Sequence, residues 1–190
     1  MPILAAETDI YPNDLLTRND LEEPSSDERP QWWAAYTRSR QEKVLMRGLR
    51  ALEIPFYCPI SARKYRSPAG RVRVSYLPVF ANYVFMRCDG YDRYRALQTN
   101  LISKTIEVKD PTGLTHDLQQ IQRLIQAGTS LRVEDKLVSG SRIRITAGPL
   151  RGICGVVVKR EAEDYLFVAI NFLQQGALVK LGDFEIEPLD

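Results

Sequence analysis

The hydrophobic positions of this chain predict an N-terminal segment built from both strands and helices. Short apolar and aromatic runs, which are typical of strands, alternate with stretches whose apolar side chains recur every three or four residues, as in a helix. The predicted strands are 32–37, 56–60, 72–76, 83–88 and 105–109, and the predicted helices are 39–54, 91–97 and 115–128. This order is typical of an α+β sandwich with a largely antiparallel sheet.

Local signals predict where two of these helices begin and end. Ser39 and Glu42 have the spacing of a capping box, in which each side chain accepts a hydrogen bond from the other residue's amide. Thr115 is a candidate N-cap for the last helix, after a predicted turn at 111–113, and Gly128 suits the left-handed position at its C-terminus.

From Leu137 the pattern changes to short β runs that glycines separate. The runs are 142–146, 153–159, 165–172, 177–181 and 184–186. Five short strands in so few residues favour a small closed barrel, because closure leaves no exposed strand edge. We therefore predict an N-terminal α+β domain at 31–128, a polar linker at 129–136 and an all-β domain at 137–190.

Charge is distributed unevenly along the chain, although the formal net charge is only +2. Residues 1–30 hold eight acidic residues and two arginines, with four prolines and no apolar periodicity. We predict a flexible acidic leader there: either a solvated segment or one whose acids compete with nucleic acid for a basic surface. Residues 36–95 hold thirteen Lys or Arg against four acids, which predicts a basic surface for a polyanion.

Composition and motifs exclude several functional classes. No apolar run approaches the ~20 residues of a membrane span, and the N-terminus lacks a secretory pattern, so we expect a cytoplasmic protein. The three cysteines, Cys58, Cys88 and Cys154, have no CxxC spacing and are expected to be reduced, partly buried thiols. His116 is the one histidine, and no phosphate loop or catalytic motif occurs. We expect no enzyme, no cofactor and no metal.

Two groups of basic residues are candidates for DNA binding. One group flanks a turn predicted at 68–70, so that a hairpin tip would carry concentrated positive charge suited to a phosphate backbone; its residues are Arg63, Lys64, Arg66, Arg71 and Arg73. The other follows the first strand, beside aromatic residues that either stack on unpaired bases or belong to the core; its residues are Arg38, Arg40 and Gln41, with Trp32 and Tyr36.

Two motifs in this order resemble the NusG family of transcription elongation factors. The first is the run 77–85, Leu-Pro-Val-Phe-Ala-Asn-Tyr-Val-Phe, and the second is 147–155, Ala-Gly-Pro-Leu-Arg-Gly-Ile-Cys-Gly. The resemblance implies an NGN domain, which binds RNA polymerase, followed by a small SH3-like KOW barrel, which recruits a second partner. Asn82 and the Trp-Trp-Ala-Ala-Tyr opening at 32–36 are similar to the specialised, RfaH-like branch of that family.

The resemblance also implies which residues contact RNA polymerase and DNA. Phe80, Tyr83 and Phe85 would form an apolar face that meets the clamp helices of the largest polymerase subunit, although ordinary core packing is the alternative. Arg93, Tyr94 and Arg95 align with a segment that touches the other large subunit. The two basic groups would face upstream DNA or the non-template strand. Ala81 departs from the family pattern, which has Pro there.

In the KOW motif, the spacing predicts a tight loop between Gly148 and Gly152, with Pro149 and Leu150 at an exposed tip and Arg151 beside it. The resemblance implies that this tip binds a small-subunit ribosomal protein or the termination factor Rho. Leu150 stands where the family usually has Phe. The strand pattern does not predict an all-helical state of this domain.

These observations favour a monomeric two-domain factor that binds RNA polymerase and DNA near the transcription bubble and promotes antitermination. Two alternatives remain open. One is the housekeeping NusG-type elongation factor, and the other is a KOW-containing protein that binds RNA or the ribosome. The aromatic segment at 80–85 argues against the latter, since such a protein has no use for a polymerase-binding domain.

Overall fold

A computed structural model describes residues 7–17, 30–67, 70–134, 140–160, 163–182 and 184–189. The chain divides into two compact units, residues 1–111 and 112–190. Within the described residues, no helix is both long and apolar enough to cross a membrane.

The first unit contains a five-stranded antiparallel sheet with strand order β1-β3-β6-β2-β7 and a separate two-stranded hairpin, β4-β5. In chain order its elements are β1 (Ile10–Tyr11), β2 (Gln31–Thr37), α1 (Glu42–Ala51), β3 (Phe56–Tyr57), β4 (Ile60–Arg66), β5 (Val72–Pro78), β6 (Tyr83–Cys88), α2 (Gly90–Leu97) and β7 (Ile102–Glu107). The predicted α+β arrangement is therefore present in this unit.

The core of the first unit lies between the helices and one face of the sheet. Leu45 and Leu49 of α1 and Ala96 of α2 pack with Val84 and Met86 of β6. Alternate residues of β6 reach this face because side chains in a strand have a period of two. Since burial of each large apolar side chain contributes about 1.5–3 kcal/mol, this layer accounts for much of the stability of the unit.

The start of α1 differs from the predicted capping box. The helix begins at Glu42, its N-cap is Gln41, and no side chain caps it. The carboxylate of Glu42 instead accepts a hydrogen bond from the amide of Asn82, at 2.7 Å. Arg40 has a φ of 60°, which turns the chain before Gln41 and removes Ser39 from the capping position.

Part of the predicted flexible leader belongs to the fold. Ile10 and Tyr11 form β1, which pairs with β3, and Leu15 and Leu16 are buried. Arg47 of α1 forms an ion pair with Glu7. The prediction of a flexible leader is therefore wrong for residues 7–17, because these apolar side chains pair with and pack on the unit. Residues 1–6 and 18–29 lie outside the described residues.

The second unit contains one long helix and an open six-stranded antiparallel sheet with order β13-β9-β10-β11-β12-β8. Its elements are α3 (Pro111–Gln126), β8 (Arg132–Glu134), β9 (Arg142–Ile145), β10 (Cys154–Arg160), β11 (Glu163–Ile170), a short 3-10 helix (Asn171–Leu173), β12 (Gln175–Lys180) and β13 (Ile186–Pro188). In the described residues the edge strands β8 and β13 do not pair with each other, so the predicted barrel is not confirmed.

Helix α3 begins earlier than the sequence predicts. Its first residue is Pro111, so the predicted turn at 111–113 forms the first turn of the helix, and Thr115 lies inside it. Proline suits this first position because its missing N–H has no partner in a helix start. Gly128 has a φ of 69°, which confirms its predicted left-handed conformation.

Polar side chains of α3 bind the sheet of the second unit. The carboxylate of Asp117 accepts a hydrogen bond from the amide of Asn171 at 2.9 Å, and the Gln120 side-chain oxygen accepts one from the amide of Cys154 at 2.7 Å. These contacts explain why the two units divide at the start of α3, whereas the sequence places the division in the segment 129–136. The predicted domain boundaries remain a prediction.

Candidate functional site

The loop that enters β6 is held in place from two sides. The Asn82 carbonyl accepts a hydrogen bond from the Thr37 amide at 2.8 Å, while its own amide donates to Glu42. Asn82 has a φ of 66°, in the left-handed region that glycine and asparagine adopt most readily. The loop conformation therefore favours one of these two residue types at position 82.

Of the three aromatic residues that are predicted to bind polymerase, Phe80, Tyr83 and Phe85, only Tyr83 has a partly accessible ring. It is half-buried, and its ring packs edge-on against Tyr36 with centroids 5.2 Å apart. The Lys104 ammonium lies 5.4 Å from the Tyr36 ring centroid. Burial, and then the neighbouring Tyr36, raise the pKa of the Tyr83 phenol above its ordinary value. We name Tyr36, Tyr83 and Lys104 the tyrosine edge.

Phe80 and Phe85 do not form the exposed apolar face that the sequence predicts. Their exposed fractions are 1% and 0%. The prediction assumed that β6 has one buried and one accessible face, but Val84, Phe85 and Met86 are all fully buried, so side chains on both faces of this central strand are covered. Both phenylalanines therefore belong to the core, which is the alternative that the sequence left open.

The segment 93–95 is also less accessible than expected. The Arg93 guanidinium lies 4.5 Å from the Trp33 ring centroid and donates to the Thr105 hydroxyl at 3.0 Å. Arg95 pairs with Asp92 of the same helix at 2.8 Å. Tyr94, with 59% of its surface exposed, is the residue of this segment that remains available to a partner.

The basic group that follows the first predicted strand lies beside the Asn82 loop. Arg38 and Arg40 are exposed in the turn after β2, and Gln41 is half-buried at the start of α1. Because Thr37 is bonded to Asn82, the structure places this turn next to the predicted polymerase-binding loop. Trp32 is 3% exposed and belongs to the core, so it presents no ring to a base.

The other basic group, which the sequence places at a hairpin tip, lies on the β4-β5 hairpin. Its members are exposed: Arg63, Lys64, Arg66, Arg71 and Arg73. Within the described residues none of these five side chains forms an ion pair or a hydrogen bond. The sequence has no Asp or Glu between Ile54 and Cys88. Of the predicted turn at 68–70, residues 68 and 69 lie outside the described residues. The hairpin thus carries uncompensated positive charge.

The glycine loop of the second unit forms as predicted, but its tip differs. Gly148 and Gly152 have φ angles of 80° and 85°, and Pro149 and Arg151 are exposed. Leu150 is fully buried, so the predicted exposed leucine tip is wrong. The amide of Ile153 donates to the Leu150 carbonyl at 3.0 Å, which closes the loop as a tight turn and directs this apolar side chain inward.

The polar face of α3 is a feature that the sequence does not reveal. Asp117 and Gln120 are buried, and a cavity of about 520 Å³ between α3 and the sheet is lined by these residues with His116, Arg142 and Cys154 among others. Their positions on an amphipathic helix predict solvent-exposed side chains, so only the fold shows their role in anchoring α3.

Cys58 and Cys88 are buried free cysteines, more buried than the sequence predicts, and Cys154 is a half-buried free cysteine. Burial raises the pKa of the Cys58 thiol far above its usual range and that of Cys88 to about 12. Both therefore stay protonated and unreactive near neutral pH. In the described part of the chain, no group of three or more His, Cys, Asp or Glu side chains is placed to hold a metal ion.

A family model described as "Transcription termination factor nusG" matches residues 30–138, which is more than half of the chain. The matched region includes the Asn82 loop, the tyrosine edge and both basic groups. A search of curated proteins found no match. From the family match, the chain belongs to the NusG family of transcription elongation and termination factors.

Proposed function

We propose that this protein is a transcription elongation factor that binds RNA polymerase through its first unit and contacts DNA beside the transcription bubble. The observation that carries this proposal is the family match over residues 30–138, which covers nearly all of the first unit after β1. NusG-family proteins generally bind RNA polymerase.

The tyrosine edge is the proposed polymerase contact. Tyr83 and Tyr36 give a rigid, partly accessible aromatic surface, and such rings often dominate binding energy because they bury a large area at a low entropy cost. The bonds from Asn82 to Thr37 and Glu42 fix the loop beside this surface. Tyr94, on α2, is a second proposed contact. Phe80 and Phe85 support the surface from within the core.

The proposed DNA contacts are the exposed cations of the turn after β2 and of the hairpin. Arg38 and Arg40 lie next to the loop that carries Tyr83, so polymerase binding would place them close to nucleic acid held by the enzyme. Each Lys or Arg that reaches a phosphate releases condensed counterions, which makes such binding dependent on salt.

The second unit is the proposed site for a further partner. Pro149 and Arg151 present an exposed surface at the glycine loop, and we assign the recruitment of a ribosomal small-subunit protein or Rho to them. Leu150 supports this loop from inside. We further propose that the factor belongs to the specialised, antiterminating branch, since Asn82 occupies the left-handed position with the residue of that branch.

A transcription assay tests the proposal. On a template with a pause site and a Rho-dependent terminator, we expect the full-length protein to alter the rate at which the host's RNA polymerase passes the pause. Greater read-through at the terminator would support antitermination, whereas more termination would place the protein with the housekeeping factors. If neither pausing nor termination changes, the protein does not act on elongation and the proposal fails.

A further inference from the structure

The residue pairing of the β4-β5 hairpin separates its cations onto two opposite faces. Tyr65 pairs with Arg73 across the strands, and Arg63 lies two positions from Tyr65. Opposed residues of an antiparallel pair share a face, and so do residues two apart on one strand. Arg63, Tyr65 and Arg73 therefore lie together, and we name them the outer face.

Lys64 and Arg66 lie on the opposite side of the hairpin, because side chains alternate along a strand. We name this side the inner face. Ile60 lies on the same side, and Tyr76 reaches it from β5. Ile60 is part of the hydrophobic core of the first unit and Tyr76 packs against it. The root of the inner face is thus directed toward the core, and the outer face is directed away from it.

The ring of the outer face has no partner within the fold. Tyr65 is 48% exposed and, within the described residues, its ring contacts no other ring or cation and its hydroxyl makes no hydrogen bond. Arg63 and Arg73 are exposed and likewise form no ion pair in this part of the chain. A large exposed ring beside two exposed guanidinium groups is therefore accessible to a ligand.

This arrangement matches the chemistry of an unpaired nucleotide. The Cβ atoms of Tyr65 and Arg73 are ~5 Å apart as a cross-strand pair, and Arg63 lies ~7 Å along the strand. An aromatic ring stacks on an unpaired base of any sequence, and neighbouring cations neutralise the adjacent phosphates. In a duplex the base faces are already stacked on one another, so a duplex would use the cations but not the ring.

We propose that the outer face binds unpaired DNA, with Tyr65 stacked on a base and with Arg63 and Arg73 contacting the flanking phosphates. The choice of DNA rests on the proposed function, in which the hairpin faces DNA near the transcription bubble. The inner face contributes only general positive charge.

Direct titration of the full chain with a labelled single-stranded DNA of about 15 nucleotides tests this inference, alongside the matched duplex and an RNA of the same sequence. We expect Tyr65→Ala to weaken binding to the single strand about tenfold and to leave duplex binding within about twofold. Tyr65→Phe keeps the stacking surface and should bind as the wild type does. Tyr65→Leu keeps apolar bulk without a ring and should behave like Tyr65→Ala.

The two faces provide a matched pair of variants. Arg63→Ala/Arg73→Ala and Lys64→Ala/Arg66→Ala each remove two positive charges from the same hairpin. We expect the outer pair to weaken binding to the single strand more, and to reduce the slope of log affinity against log salt by about 1.4, as expected for the loss of two phosphate contacts. Unchanged circular dichroism would show that the variants remain folded.

Several outcomes would overturn the inference. Equal losses from both double variants, or an unchanged affinity for Tyr65→Ala, would mean that the hairpin binds DNA by charge alone, and the proposed function would stand. Tighter binding to the RNA than to the DNA would assign the outer face to a different nucleic acid. If no hairpin variant alters DNA binding, the hairpin is not a DNA site, and the DNA contact of the proposed function is left to Arg38 and Arg40 in the turn after β2.

Discussion

Phe85→Ala is expected to lower the free energy of unfolding of the first unit by about 3–5 kcal/mol. Phe85 is completely buried in the central strand β6, where it pairs with Ala34 of β2 and with Tyr57 of β3. Truncation removes most of a large apolar side chain and leaves a cavity that the surrounding strands cannot fill, because both neighbours are fixed by the ladder. Such a loss is comparable to the total stability of many small domains.

Tyr83→Ala is the matched comparison for Phe85→Ala. The two residues lie two positions apart on β6, but Tyr83 is only half-buried and loses mainly its edge contact with Tyr36. We expect a destabilisation of about 1 kcal/mol. The chain has two tryptophans, Trp32 and Trp33, and both lie in β2, so tryptophan fluorescence during urea unfolding reports on this unit. Similar midpoints for the two variants would contradict the assignment of Phe85 to the core.

Gly176→Ala is expected to destabilise the second unit by about 3 kcal/mol. A methyl group at this position would lie 2.5 Å from the carbonyl oxygen of Val168 and 2.5 Å from Cζ of Phe167. Neither neighbour can yield easily, since the carbonyl belongs to the β11 backbone and the Phe167 ring is buried. Strands β11 and β12 must separate or shift to accommodate the new atom, which disrupts the pairing between them.

Gly182→Ala is the control for this prediction. It lies just after β12, and a Cβ atom there meets nothing within 4 Å. Thermal unfolding followed by far-UV circular dichroism should show a lower midpoint for Gly176→Ala and an unchanged one for Gly182→Ala. Tryptophan fluorescence measured on the same samples distinguishes loss of the second unit from loss of the first. Equal midpoints for the two variants would show that the sheet tolerates a side chain at position 176.

The order of elements could be predicted from the sequence because periodicity reports directly on which side chains are buried. Strand 83–88 and the left-handed Gly128 are present as predicted. Errors arose where a tertiary contact overrides a local signal. Glu42 has the spacing of a capping box, but its carboxylate bonds the Asn82 amide, 40 residues away.

The candidate site could be predicted only in outline, because a sequence motif does not distinguish residues that contact a partner from residues that support them. Alternation along β6 separates Phe85 from Val84, yet both are buried, since this strand is central in its sheet. Leu150 was likewise expected at an exposed tip and lies inside its loop. Exposed cations such as Arg63 are easier to predict because an uncompensated charge has no place in a core.

Retention of the full-length protein on core RNA polymerase from its native host tests the central claim most directly. Wild type should be retained, and Tyr83→Ala should weaken retention about tenfold or more, as is typical of an aromatic hot spot. Tyr83→Ala is a better test than Phe85→Ala, because the large loss of stability expected for the Phe85 variant would be mistaken for a loss of binding. Tyr65→Ala, which removes a ring that is 48% exposed on the β4-β5 hairpin, is the control and should bind core polymerase normally. Failure of the folded wild-type protein to bind polymerase would contradict the account.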